Sequence, residues 1–131
     1  MKSIEEVREF FKNDRFATQS GMYIEEVGEH YARCSLKITD MHRNAVGGLM
    51  GGVSFTLADF AFAVAENQQN IGTVSLNTSI AFLSQPKGEM LFAEAHLQKD
   101  GRTTCYYSVD VYDELETKVA NALITGFHTV R

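Results

Sequence analysis

One carboxylate in this sequence has the setting of a reactive group. From Val53 to Ala65 the chain reads VSFTLADFAFAVA, and Asp59 is the single ionisable residue in the run. Ionised carboxylates are almost never fully buried without a partner. Such an aspartate faces an opening, is held by hydrogen bonds, or has a raised pKa, and each condition suits an active-site acid or base. The plainer alternatives are a part-exposed face and a structural hydrogen bond to a nearby loop. Just before the run stand Gly51 and Gly52, where a helix would begin. A helix N-terminus offers unpaired N–H groups and a partial positive charge, and glycine lets a substrate approach the backbone. Donors placed there can stabilise an oxyanion during acyl transfer. Glycines that only make the turn would read the same way, and the lysine of a phosphate-binding GxxxxGK[ST] loop is missing.

Other nucleophilic and metal chemistries find no pattern. There is no GxSxG, so no Ser-His-Asp arrangement is visible. Cys34 and Cys105 have no CxxC partner and no His at metal-ligand spacing. The histidines, at positions 30, 42, 96 and 128, form no HxxxH or HxH. These spacings predict two reduced, buried thiols, no Cys beside a His partner, and no metal site.

The elements that must position Asp59 follow from hydrophobic periodicity. Residues 3–15 read as a helix: Ser3 and Glu6 form a capping box, and Ile4, Val7, Phe10 and Phe11 share a face. Residues 16–22 read as a loop. Strands are expected over Met22–Val27 and Tyr31–Thr39, the second with Ala32, Cys34, Leu36 and Ile38 alternating with polar neighbours. A glycine-rich loop spans 40–52, and VSFTLADFAFAVAEN is the main helix. Four more strands follow, Thr73–Leu83, Met90–Lys99, Thr103–Tyr112 and Lys118–Thr129, broken by QPKG, KDG and DELE. Connections this short force antiparallel pairing, since a parallel crossover needs a dozen or more residues. The class is α+β, an antiparallel sheet with one dominant helix. That helix is apolar on every face, so it is a buried helix around which the sheet curls.

The run His42-Arg-Asn44-Ala-Val-Gly47-Gly-Leu49-Met50-Gly51-Gly52, followed by Leu57-Ala-Asp59, resembles the hotdog-fold acyl-CoA thioesterases. Within the 4-hydroxybenzoyl-CoA thioesterase superfamily it is most similar to the phenylacetyl-CoA thioesterase type. The resemblance covers the chain from about residue 20 and implies a hotdog fold, a curled antiparallel sheet wrapped around one long central helix. It implies hydrolysis of an acyl-CoA to a carboxylic acid and free coenzyme A. Asp59 then matches the general base or nucleophile, and Asn44 an asparagine that positions water or carboxylate. Gly51 matches the glycine whose N–H polarises the thioester carbonyl, and Ser75 a hydroxyl that orients the attacking water. Asp59 and Asn44 would come from different subunits of a homodimer that pairs into a homotetramer. One position departs: the family's HGG reads Met50-Gly51-Gly52 here, and a thioether donates no hydrogen bond. A non-catalytic acyl-CoA or acyl-ligand binding protein on the same fold is the alternative this departure raises. A hotdog dehydratase would need a histidine at the helix start.

Coenzyme A implies cations for its phosphates and an apolar pocket for its acyl group. Lys87, Lys99 and Arg102 are the candidates for the first, with Arg43 beside Asn44. Met50, Gly52 and Phe82 are candidates for the second, with Phe55 and Phe62. No cofactor is implied beyond the coenzyme A of the substrate itself.

Composition narrows the partners. The 131 residues carry a net charge of −5, which argues against a nucleic-acid-binding protein. No apolar run approaches the roughly 18–20 residues of a membrane span. The opening MKSIEEVREFFKNDRF lacks the apolar centre of a signal peptide, which predicts a cytoplasmic protein. One domain over residues 1–131 is the expectation from length.

Overall fold

The computed structural model describes residues 2–130. Helix α1 (Ile4–Phe11) begins as its sequence predicts. The Ser3 Oγ accepts from the Glu6 N–H at 3.2 Å, and the Glu6 carboxylate accepts from the Ser3 N–H at 3.0 Å. The expectation of one helix over 3–15 and a loop over 16–22 needs correction. The first helix ends at Phe11, and a second, α2 (Arg15–Gln19), occupies the expected loop. The Asn13 side chain donates to the Phe10 carbonyl at 3.0 Å just past the end of α1. In α2 the hydroxyls of Thr18 and Ser20 donate back to the carbonyls of Asp14 and Phe16, at 3.0 and 2.7 Å, above a buried Ala17. Thr and Ser usually mark turns because their hydroxyls compete for backbone groups. Here those bonds run along the helix instead.

The rest follows the expected order. Strands β1 (Tyr23–Gly28) and β2 (Tyr31–Lys37) precede the long helix α3 (Gly51–Asn67). After it come β3 (Thr73–Phe82), β4 (Met90–Asp100), β5 (Thr104–Asp113) and β6 (Lys118–His128). One sheet holds all six strands in the order β1-β2-β4-β5-β6-β3, with every pairing antiparallel. α3 packs against each of the six strands. A flat sheet six strands wide, with about 4.8 Å between neighbours, cannot reach one helix with all of them, so the sheet curls. This is the α+β hotdog architecture.

Burial explains the arrangement. Leu57, Ala58, Phe60, Ala61, Phe62, Val64 and Ala65 of α3 are all buried. Facing them, β4 contributes Ala93 and Ala95, both fully buried, whose small side chains let the helix lie close. Phe62 meets the Tyr107 ring edge-on, with centroids 5.2 Å apart. Phe62 is therefore core rather than pocket lining. Cys34 and Cys105 are both buried, and burial pushes the Cys34 thiol up. Adjacent Tyr106 and Tyr107 point to opposite faces, the first exposed and the second buried.

β3 differs from the other strands. It is an edge of the sheet, yet it is ten residues long and exposes Val74, Leu76 and Phe82, with Leu76 at 64%. Long apolar edges are normally blunted or covered, because they template pairing with another chain.

Candidate active site

The loop before α3 is stiffened from within. Its short 3-10 turn, Asp40–His42, buries His42. The Thr39 N–H donates to His42 Nδ1 at 2.9 Å, so Nε2 carries the proton and donates to the Ser20 carbonyl at 2.8 Å. Both ring nitrogens are thus committed to tying the loop to the end of α2. Asn44 Oδ1 accepts from the N–H groups of Val46 and Gly48, at 3.1 and 3.0 Å, an Asx turn that shapes the glycine segment. Gly47 has φ +87°, a backbone state that side-chain-bearing residues rarely adopt. Gln85 from the β3–β4 loop locks the far side: its Oε1 accepts from the Leu49 N–H at 2.7 Å.

α3 therefore starts at a fixed point. Its N-cap, Met50, supplies no side-chain acceptor to the first turn. The first N–H groups of a helix have no acceptor within it, so Gly51 and Gly52 present donors and the positive end of the helix dipole. Phe82 covers this point. A β-carbon on Gly51 would sit 3.1 Å from the Phe82 ring, and one on Gly52 would sit 3.2 Å from the Met50 methyl. Met50, Gly51, Gly52 and Phe82 thus converge as one group, beside a cavity of about 240 Å³ lined by Gly51, Ser54, Phe82 and Gln85.

Asp59 lies eight residues further along α3, half-buried. Burial raises its pKa above the ordinary aspartate value; the Ser75 hydroxyl pulls it back by hydrogen bonding, and the negative charge of Asp14 pushes it up again. Ser75 and Asp59 are thus brought together across the α3–β3 packing. A carboxylate in this state is a stronger base once ionised than a free aspartate, which suits proton abstraction from water. Asp14 was absent from the sequence expectations. It stands at the N-cap of α2, the helix the sequence hid, and no residue spacing points to it. Gln85 was missed for a similar reason, since its partner Leu49 is 36 residues away.

The expected cations do not gather in one chain. Lys87 precedes β4, while Lys99 and Arg102 lie at its far end. An eleven-residue strand is about 34 Å long, so the two groups sit at opposite ends of the sheet. All three side chains are on the exposed surface. Lys87 sits on a loop pinned by Asp113, whose Oδ2 accepts from the N–H groups of Lys87 and Gly88 at 2.7 and 2.8 Å. Arg43 donates to the Gly47 carbonyl at 3.3 Å and helps close its own loop. Phe55 is partly exposed on α3.

The model of the thioesterase superfamily matches residues 46–120, a span that holds the helix start, Asp59 and Ser75. This chain belongs to that superfamily. Acyl-coenzyme A thioesterase 13 of Homo sapiens is 32% identical over 99 residues, covering 73% of this chain and 69% of the relative. Acyl-coenzyme A thioesterase PaaI of Escherichia coli is 29% identical over 120 residues, covering 91% and 86%. The solved structure of E. coli PaaI, from the phenylacetic acid degradation operon, superposes with a TM-score of 0.88 at 26% identity, covering 95% of this chain and 91% of that one. A hypothetical thioesterase protein of Streptococcus pneumoniae solved with coenzyme A superposes with a TM-score of 0.85 at 26% identity, covering 94% and 97%. Among the described residues no helix of this superfamily member is long and apolar enough to cross a membrane.

One expectation of the sequence spacing is overturned. Cys105 has a histidine beside it after all: single ligand atoms of Glu66, Cys105 and His128 lie within 4.8 Å of one another. The β5–β6 register does this. Cys105 pairs with Gly126, two residues before His128, so both inward side chains meet at the C-terminal end of α3. Gly126 leaves the room: a β-carbon there would sit 2.7 Å from Cys105 Sγ.

Proposed function

We propose that the protein hydrolyses acyl-CoA thioesters to a carboxylic acid and free coenzyme A, with Asp59 as general base. The observation that carries this reading is the half-buried Asp59, the single ionisable group in an apolar stretch of α3 and in electrostatic reach of Ser75, in a member of the thioesterase superfamily. Relatives named acyl-coenzyme A thioesterases, and a related thioesterase solved with coenzyme A, support the substrate class.

The chemistry runs through this chain's own groups. The Ser75 hydroxyl orients a water and the Asp59 carboxylate takes its proton. The water oxygen bonds to the thioester carbonyl carbon, and the carbonyl oxygen becomes an oxyanion. The Gly51 N–H, with Gly52 beside it, receives that charge at the positive end of α3. As the intermediate collapses the C–S bond breaks, and the proton held by Asp59 leaves with the coenzyme A thiolate. General-base assistance of this kind is worth roughly 10²–10⁴ in rate, and loss of one oxyanion donor about 3–4 kcal/mol.

Within one chain the two groups stand far apart on α3. Eight residues of helix put the Gly51 donor about 12 Å from Asp59 along the axis. A reacting water must lie within about 3.5 Å of the carbon, and the donor about 3 Å from the oxygen. The spacing therefore supports a site in which Gly51 and Asn44 of one subunit serve Asp59 and Ser75 of another. The exposed apolar edge of β3 supports a homodimer continued through that edge, pairing into a homotetramer. Met50 and Phe82 then face the acyl group. Lys87 meets the coenzyme A phosphates from one subunit, and Lys99 and Arg102 from another.

Met50, standing where the pattern of the resembled family has histidine, favours one second reading: binding of acyl-CoA without turnover. Release of free thiol from a panel of acetyl-, hexanoyl-, lauroyl-, phenylacetyl- and benzoyl-CoA separates the two. Turnover of any member supports hydrolysis, and its best substrate describes the pocket. Tight binding with no thiol released selects the binder.

A further inference from the structure

We propose that the C-terminal end of α3 carries a divalent metal site of the zinc class, with Glu66, His128 and Cys105 as ligands and His30 as the fourth donor at its mouth. The four residues come from α3, β6, β5 and the β1–β2 turn. No spacing in the sequence joins them, and the proposed hydrolysis uses none of them.

Single ligand atoms of three of these residues, Glu66, Cys105 and His128, lie within 4.8 Å of one another, and His30 approaches the second Glu66 oxygen. Glu66 Oε1 lies 3.6 Å from His128 Nδ1, and Glu66 Oε2 lies 3.2 Å from His30 Nδ1. A tetrahedral ion with bonds of about 2.0–2.3 Å places its ligand atoms about 3.3–3.7 Å apart. Cys105 Sγ, within 4.8 Å of the other two ligand atoms, needs to close by only about 1 Å. His30 holds a left-handed backbone, φ +51°, at the turn that carries its ring to Glu66.

The outer groups orient the ligands. His128 Nε2 lies 3.0 Å from Asp100 Oδ1, which is placed to hold the Nε2 proton when Nδ1, on the Glu66 side, takes a metal. Carboxylate–histidine pairs of this kind fix the tautomer of metal-binding imidazoles. Thr73 Oγ1 also lies 2.8 Å from Nδ1, and Tyr107 donates to Glu66 Oε2 at 2.5 Å. The Thr73 hydroxyl rotates away when the metal takes Nδ1.

Charge and access agree with a cation. The side chains of His128 and Glu66 are 2% and 5% exposed. Two carboxylates, Glu66 and Asp100, flank the cluster at the negative end of the α3 dipole. His30 is 35% exposed and opens onto a cavity of about 490 Å³, lined also by Glu66, Thr73 and His128, which gives an ion its way in. Imidazole, carboxylate and thiol together select zinc-like ions over magnesium and calcium, which take oxygen shells. On binding, the Cys105 thiol gives its proton to solvent as the sulfur–metal bond forms. The bound ion would clamp four elements together, about 10 Å along α3 from Asp59.

Cobalt(II) titration of chelator-treated, otherwise intact protein tests this. The wild type should bind one equivalent per chain, with tetrahedral visible bands and an intense thiolate-to-cobalt charge-transfer absorption that zinc abolishes. Cys105→Ser should lose the charge-transfer band. Asp100→Asn should weaken binding by 10–100-fold, and His96→Gln, altering a histidine outside the cluster, should bind as the wild type does. Absence of the charge-transfer band in the wild type overturns the proposal whatever the variants do. So does unchanged affinity in both Glu66→Gln and His128→Gln.

Discussion

Asp113 offers a prediction whose size can be read from the structure. Its side chain is fully buried and both oxygens are engaged. Oδ2 accepts from the N–H groups of Lys87 and Gly88, at 2.7 and 2.8 Å, and Oδ1 from those of Leu115 and Thr117, at 3.0 and 2.8 Å. One carboxylate thus joins the β3–β4 loop to the β5–β6 turn. Asp113→Asn keeps the shape but turns an NH2 toward two N–H donors, whichever way the amide is oriented. Two part-buried donors left unsatisfied cost roughly 1 kcal/mol each, so the variant should lose about 2 kcal/mol. For 131 residues the unfolding entropy is about 0.28 kcal/mol/K, and Tm should fall by about 7 °C. The pH dependence has a definite sign. Burial pushes the Asp113 carboxyl up, but the N–H groups of Gly88, Thr117 and Lys87 outweigh it and bring the pKa from 3.8 down to about 2. A depressed carboxylate stabilises the fold above its unfolded pKa, and that stability is lost as pH falls through the folded one. The wild type's advantage over Asp113→Asn should therefore shrink as the pH falls from about 4 to about 2. Thermal unfolding followed by circular dichroism, repeated across pH, reads both effects. A Tm shift under 3 °C at neutral pH, or an advantage that does not shrink between pH 4 and pH 2, would refute the reasoning.

Ser75→Ala removes the hydrogen bond that lowers the Asp59 pKa, so the acid limb of the kcat/KM profile should move to higher pH while kcat falls. Asp14→Asn removes a like charge that raises it, so the same limb should move to lower pH with activity retained; limbs moving together would contradict the assignment. If the proposed dimer forms through β3, Leu76→Asp, which places a charge on that exposed edge, should leave folded, inactive monomers in light scattering, against an assembled wild type. Asp59→Asn should not lower Tm at neutral pH. A carboxylate with a raised folded pKa contributes stability only at low pH, losing it as pH rises through that pKa, so its removal costs nothing once it is ionised.

What the sequence made legible was periodic or local. β2 shows its buried face as Ala32, Cys34 and Leu36, and β4 to β6 are bounded by turn residues, so each strand lies within a residue or two of its expected place. The apolar run around Asp59 announced a wrapped helix because no other environment accepts apolar side chains on every face. The convergence of Met50, Gly51 and Phe82 fits the resemblance, but the contact of Phe82 with Gly51 depends on how β3 leaves the sheet. Three features were invisible. α2 is built by hydroxyl bonds that read as a loop. Asp113 looked like part of a solvated DELE turn, because its acceptors are satisfied by backbone groups up to 26 residues away, which any residue type could supply. The Glu66–Cys105–His128 cluster arises from strand register at a glycine, and register is fixed by the whole sheet rather than by spacing along the chain.

The most direct test of Asp59 as general base compares wild type and Asp59→Asn for thiol release and for acyl-CoA binding, on the best substrate of the panel. The account predicts that kcat/KM falls by 10²–10⁴ while the dissociation constant for a non-hydrolysable acyl-CoA analogue changes less than about threefold. Undiminished thiol release from Asp59→Asn would contradict it.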